Sequence, residues 1–439
     1  MLWVKDGCRL LLVAGLALSL TTACGGSGDG DGDGPNWATP SAGGGKGGGD
    51  KHSPDRVKAY DPPLKFQDGG GAQYVAGGTG EGKWSVRLKG TTVFAASDDE
   101  VRAMNVLDGE ELWSVKPKGR RAEDTDYGTE AVGGPELVEL DGQTAVLAAF
   151  SITRPGTGTT PDRQLIELTA VAADSGKRLW TTELERPEGE EEGEPYVAGV
   201  DDFAVVFSFG GNGSAVTMGV SLATRKTSWT EDGFYADFVD GSVVVGRGGA
   251  DSVFGGGVSV EGRNIADGSK TWTYKERLNS AELSPAGEGL FTADVDAPFE
   301  RDTDIATLVT TDTGKEPPKL QAAKPFGDPT DLTCWNAEDT ALLCTVAEKF
   351  DKRLVAVDPG TWSELWSVAD DDDSRLMPSI STVFHGAVYG TTENGSVILD
   401  ARTGKDRSAG SGGTPFLVNE YVGLFGGSIG EIEARRAVG

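Results

Sequence analysis

Eight short runs of β-branched and apolar residues punctuate this chain at a nearly constant interval, and that interval limits the fold more than any other feature. T-T-V-F-A-A-S starts at Thr91, T-A-V-L-A-A-F at Thr144, F-A-V-V-F-S-F at Phe203 and G-S-V-V-V-G at Gly241. G-L-F-T-A-D-V starts at Gly289, A-L-L-C-T-V-A at Ala341, G-A-V-Y-G-T-T at Gly386 and Y-V-G-L-F-G at Tyr421. From Val93 to Val422 is 329 residues over seven intervals, a mean of 47. A period in the forties built from strands and turns, with no amphipathic helical stretch competing, points to the four-stranded blades of a β-propeller.

Each run leads into a further strand and a tight turn. V-R-A-M-N-V-L-D-G-E-E-L-W ends at Trp113, L-T-A-V-A-A-D-S-G-K-R-L-W at Trp180 and L-V-A-V-D-P-G-T-W-S-E-L-W at Trp366. G-R-N-I-A-D-G-S-K-T-W ends at Trp272, and G-V-S-L-A-T-R-K-T-S-W ends at Trp229 without the glycine. L-V-T-T-D-T-G-K-E-P-P and L-D-A-R-T-G-K-D-R keep the turn and lose the tryptophan. Asp or Thr before Gly makes a tight turn because glycine takes a positive φ without steric cost. Trp84, Trp113, Trp180, Trp229, Trp272 and Trp366 are expected to dock adjacent blades.

This repeat resembles the PQQ-like, quinoprotein-type β-propeller family, over about Thr79 to Gly439. The pattern is broken at Arg225 and Lys226, at Pro317 and at Arg407. The resemblance implies an all-β propeller. For members that oxidise alcohols or sugars it implies a quinone over the channel, a calcium site of carboxylates and amides, a catalytic Asp and often two adjacent cysteines. The chain has only Cys8, Cys24, Cys334 and Cys344, none adjacent. The last repeat stops before its turn and outer strand. T-G-E-G-K-W-S-V, Thr79 to Val86, reads as a turn and outer strand with no inner strands before it. Pairing the N-terminal strand at Trp84 with the C-terminal blade would remove open sheet edges. This gives eight blades over residues 74–439, with seven as the alternative count.

The first 23 residues read as a lipoprotein signal peptide. Lys5 and Arg9 precede an apolar stretch from Leu10 to Leu20, too short to span a bilayer, which needs about 20 residues. Thr21-Thr22-Ala23-Cys24 resembles a bacterial lipobox with Cys24 as the acylated residue; ordinary cleavage after Ala23 is the alternative. Residues 24–73 read as a Gly/Asp-rich disordered tether. Its G-D-G-D-G-D-G lacks the twelfth-position Glu and flanking helices of an EF-hand.

Asp and Glu total 69 against 40 Lys and Arg, a net charge of -29. That field repels phosphates, so nucleic acid is excluded as a partner. Only His52 and His385 exist, which argues against His-based metal or acid–base chemistry. The best reading is a non-catalytic extracytoplasmic binding or scaffold lipoprotein, monomeric and lipid-anchored to the outer face of the cell membrane. A quinone- or calcium-dependent dehydrogenase is the alternative, although neither PQQ nor calcium is expected. Cys334 and Cys344, ten apart around the turn N-A-E-D, are expected to pair as a disulfide; two buried thiols are the alternative.

The strand order puts the blade crossings and the second-to-third-strand loops on one face. Glu190, Glu191, Glu192, Asp370, Asp371, Asp372 and Asp373 in the crossings, with the loops S-D-D-E at 97–100 and D-V-D-A-P-F-E-R-D-T-D at 294–304, would make that face acidic, interrupted by the basic crossing K-P-K-G-R-R at 116–121. The face is either solubility charge or a site for a cationic partner or calcium.

Overall fold

The computed structural model describes residues 57–77, 84–121, 135–187, 194–211, 214–249, 257–296, 304–338, 340–348, 351–370, 374–410, 412–426 and 431–439. They belong to one compact unit, Arg56–Gly439. All eight apolar runs become the second strand of a blade, from Thr92–Ala96 in blade 1 to Val422–Gly426 in blade 8. In blades 1 to 7 the strands follow chain order and pair antiparallel with their neighbours; blade 2 adds Arg120–Arg121, which pairs with the same second strand, Gln143–Arg154, as Glu136–Leu140 does.

A strand sends alternate side chains to opposite faces of its sheet. On Thr92–Ala96, Val93 and Ala95 pack against blade 8 while Phe94 and Ala96 pack against blade 2. Repeated around the chain, this produces eight apolar clusters among the described residues, one at each interface between neighbouring blades. Eight interfaces for eight blades is the signature of a closed ring.

The outer-strand tryptophans bolt one blade to the next. Trp113 Nε1 donates to the Ala173 carbonyl at 3.0 Å, Trp229 to Ile265 at 2.8 Å, Trp272 to Thr311 at 2.9 Å and Trp366 to Ala401 at 2.8 Å. Each acceptor begins the turn of the following blade. The glycine of that same turn lies against the ring: Gly176 under Trp113, Gly268 under Trp229, Gly314 under Trp272 and Gly404 under Trp366. These glycines have φ between +61° and +70°. Glycine is therefore required twice, for its conformation and for the indole above it. The cross-strand partner of each tryptophan is also small: Ala103, Ala170, Gly219, Gly262 and Ala356 face Trp113, Trp180, Trp229, Trp272 and Trp366. Burying such a ring removes ~150–250 Å² from water, worth about 4–6 kcal/mol at ~25 cal/mol per Å².

Where the motif is broken, the junction is rebuilt. Arg225 takes the turn glycine's place at φ 58°, and its guanidinium lies 5.3 Å from the Trp180 ring centre. Blade 5 has three strands, and the segment after it carries the short helix Pro318–Ala323. With no outer tryptophan in blade 5, Trp362 of blade 6 occupies the turn position held elsewhere by glycine, at φ 62°. It is buried with Leu320 and Phe326. In blade 7, Ser408 stands where the tryptophan would, and its partner is the bulky Ile398.

The closing strand differs from the expected one. Ser85–Lys89, beside Trp84, is the inner strand of blade 1, joined to Thr92–Ala96 by a tight hairpin with Gly90 at φ 57°. Closure is made by Gln73–Ala76, which pairs with Ile432–Arg436 as the outer strand of blade 8. Trp84 is thus no outer-strand bolt; its ring lies 4.3 Å beneath the Arg102 guanidinium. The folded unit also begins before residue 74. Leu64 and Lys65 amides donate to Gly439, and Leu64 and Phe66 pack into the cluster between blades 7 and 8.

Gly268→Ala tests the double demand on the turn glycine. A Cβ there would lie 2.7 Å from the Trp229 ring, whereas Gly241, at φ 56°, has open space around it. Gly241→Ala should cost about 1 kcal/mol for backbone strain, and Gly268→Ala an additional ~1–3 kcal/mol for overpacking. Equal losses in urea unfolding would show that the indole contact adds nothing.

Candidate functional site

The inner strands of blades 4, 5 and 6 line a cavity of 840 Å³ at the ring's centre. Phe234–Asp240 brings Asp237, Ser280–Gly287 brings Glu282, and Asp331–Asn336 brings Asp331. The second strand of blade 5, Leu290–Asp296, adds Asp294 and Asp296. Arg247 is the single cation among the described residues of this wall. Glu282, Asp294, Asp296 and Asp331 all lie toward the strand ends that carry the blade crossings.

The carboxylates are not equivalent. Arg247 grips Asp237 with two hydrogen bonds of 2.8 and 3.0 Å. Burial nonetheless pushes the Asp237 carboxyl up to about 6, against the pull of that guanidinium. Asp294 has no cation beside it among the described residues. Burial, and then the negative charge of Asp331, push its carboxyl up to about 7; Glu282 adds to the rise and the Leu332 amide opposes it. One Asp294 oxygen is buried without a hydrogen-bond partner among the described residues. Further round, Arg87 of blade 1 meets Glu136 of blade 2 at 2.5 Å. Burial, then Asp237 and Glu136, raise the Tyr196 phenol.

Of the acidic face read from sequence, Glu190, Glu191, Glu192, Asp371, Asp372 and Asp373 lie outside the described residues, as does Cys24. Asp370 is described; its amide donates to Lys352 at 2.8 Å. The two arginines of the basic crossing are paired locally. Arg120 pairs with Asp162 at 3.2 Å, and Arg121 pairs with Asp98 and Asp99. Beneath it the fully buried Glu167 accepts the Lys118 and Gly119 amides at 2.8 Å. Cys334 and Cys344 face each other on adjacent strands of blade 6 and form a disulfide, buried in the core between blades 5 and 6.

The adjacent cysteine pair that the family resemblance implies for quinone-bearing members has no counterpart here. The disulfide lies in an inter-blade core, and its cysteines are ten residues apart. Among the described residues no three His, Cys, Asp or Glu side chains converge to hold a metal.

The profile of the family described as outer membrane protein assembly factor BamB matches residues 47–249 and 166–328, well over half of the sequence. The chain belongs to this PQQ-like β-propeller family. No curated protein matches it significantly. Among solved structures, BamB from Moraxella catarrhalis is 14% identical with a TM-score of 0.42, covering 83% of this chain and 99% of that one. A quinohemoprotein alcohol dehydrogenase from Pseudomonas putida HK5 is 11% identical with a TM-score of 0.45, covering 86% of this chain and 76% of that one.

Within this PQQ-like propeller the channel carboxyl Asp294 sets a pH dependence of stability. Its folded value, about 7, lies above the ordinary carboxylate value of 3.8. Between those values the folded state binds more protons than the unfolded chain, so stability falls as pH rises through the window. Asp294→Asn cannot ionise. Its melting temperature relative to wild type should rise from pH 5 to pH 8; a constant difference would contradict the assignment.

Proposed function

We propose that this chain is a non-catalytic extracytoplasmic binding or scaffold lipoprotein, anchored through Cys24, whose propeller receives a cationic element of an envelope partner at its channel mouth. The observation that carries this reading is the channel wall: five carboxylates and one guanidinium around 840 Å³. Burial, and then clustered like charges, raise the free energy of this site, the two causes that push the Asp294 carboxyl up. A lysine or arginine side chain entering from a partner would relieve it. The overall charge of -29 would steer such a partner toward the protein. The family's description as an assembly factor supports a role in binding rather than turnover, and an envelope location.

Neutralising Glu282, Asp294 and Asp331 together (E282Q, D294N, D331N) should weaken capture of a lysine-rich peptide. Capture by the wild type should also fall between 0.1 and 1 M salt, where the screening length shortens from about 10 to ~3 Å. Equal capture by the neutralised protein would reduce the channel to a solvated surface. The anchor is tested separately. Cys24→Ser should move the protein from the membrane to the soluble fraction, because a diacylglyceryl group brings the two chains that stable anchoring needs; unchanged membrane retention would refute acylation.

A further inference from the structure

The interface between blades 7 and 8 has the fewest buried apolar residues of the eight clusters: Ala387, Tyr389, Ile398 and Val418. It has lost its tryptophan, and the arm Val57–Ala72 that precedes the closing strand lies across it. Leu64 and Phe66 pack into the cluster. Phe66 also meets the rings of Tyr389 and Phe425 at 6.1 and 5.5 Å. The Tyr389 hydroxyl donates to the Pro63 carbonyl at 2.8 Å, and the Tyr60 amide to Glu420 at 2.8 Å. The arm does the work that an indole does at the intact junctions, so whatever holds the arm holds the ring closed there.

His385 sits at the entry of this arm, on the first hairpin turn of blade 7. Its Nδ1 contacts the Asp61 carboxylate of the arm. Its Nε2 lies 3.0 Å from the Glu338 carboxylate, on the corresponding turn of blade 6. The ring stacks on Phe384 with 3.9 Å between centres. A neutral imidazole carries one N–H and one lone pair. It can donate to only one of two carboxylates, and it turns its lone pair toward the other. Only the imidazolium satisfies both at once.

We propose that His385 is a pH-sensitive latch: as imidazolium it ties the arm through Asp61 and blade 6 through Glu338 to blade 7, and on losing its proton it releases the arm. Among the described residues the charged groups facing it are Asp61 from the arm and Glu338 from blade 6. Arg407 and Asp61 act on the neighbouring Tyr389, whose phenol burial raises; Arg407 in turn pairs with Asp400 at 3.5 Å. Asp237 and Asp294, whose carboxyls burial pushes up to about 6 and about 7, belong to the channel wall of blades 4 and 5, away from His385. Release of the arm opens the junction that it covers. A cavity of 400 Å³ is already present there, lined by Leu64, Phe66, Tyr389, Ile398, Phe425 and Arg435 among others.

Backbone hydrogen exchange, corrected for the intrinsic pH dependence of exchange, tests the latch in the full chain. The Tyr60, Leu64 and Lys65 amides, bonded to Glu420 and Gly439, should open at least about fivefold more often at pH 8.5 than at pH 6, the loss of a charge-assisted bond. His385→Gln should open equally at both values, and so should the double variant D61N/E338Q, which spares the imidazole should the first fail to fold. Asp294→Asn should keep the wild-type response, which separates the latch from the channel. Arm exchange that ignores pH in the wild type, or a pH response that survives in both latch variants, would overturn the proposal.

Discussion

The contact between an indole on one blade and the turn of the next is the interaction on which this ring depends. It joins three requirements in one place. The outer strand must carry a tryptophan, the next turn must offer a free carbonyl, and that turn must bend through a residue with no Cβ. Trp229, Ile265 and Gly268 meet all three, as do Trp272, Thr311 and Gly314. The sheets themselves would form from alternation alone. What orders one sheet against its neighbour is the side chain that leaves one and ends on the other.

The exceptions follow the same physics. Removing the tryptophan leaves a void, and a void in a close-packed interior costs stability. Three junctions lack the tryptophan: between blades 8 and 1 the Gln73 side chain lies over the turn glycine Gly109, and the other two are filled differently. At the junction of blades 5 and 6 the tryptophan moves to the other partner, as Trp362. At the junction of blades 7 and 8 the volume is divided between Ile398 and the Leu64 and Phe66 side chains of the arm. The acid-lined channel imposes no such demand, since the ring stands on its interfaces. Its residues are free to be chosen for charge, and the burial that pushes the Asp294 carboxyl up is expected to work against stability at neutral pH.

Much of this was legible in the sequence. The period, the eight second strands and the Trp–turn motif are local patterns, and local patterns survive in one dimension. Closure by an N-terminal strand was also legible as a necessity. Its identity was not, because Gln73–Ala76 is four residues long and Trp84 imitates the outer-strand motif. One signal was present but unused: Ala103, Ala170, Gly219, Gly262 and Ala356 each stand ten residues before a bolting tryptophan. Trp84 has Tyr74 at that place. The channel was invisible for a different reason. Asp237, Asp294 and Asp331 are brought together by ring curvature, which no spacing along the chain records.

Gln73–Ala76 leaves the ribosome before any blade and finds its partner, Ile432–Arg436, only after all of them. Through the whole of synthesis this strand has no sheet to join, and blade 8 has no outer strand until both ends of the chain are present. Loop closure over such a length costs little more than over a shorter one, since the entropy grows only with the logarithm of length. The burden is one of time: a chain interrupted anywhere before residue 432 leaves seven or fewer blades without a seam, each end an unpaired edge open to another copy.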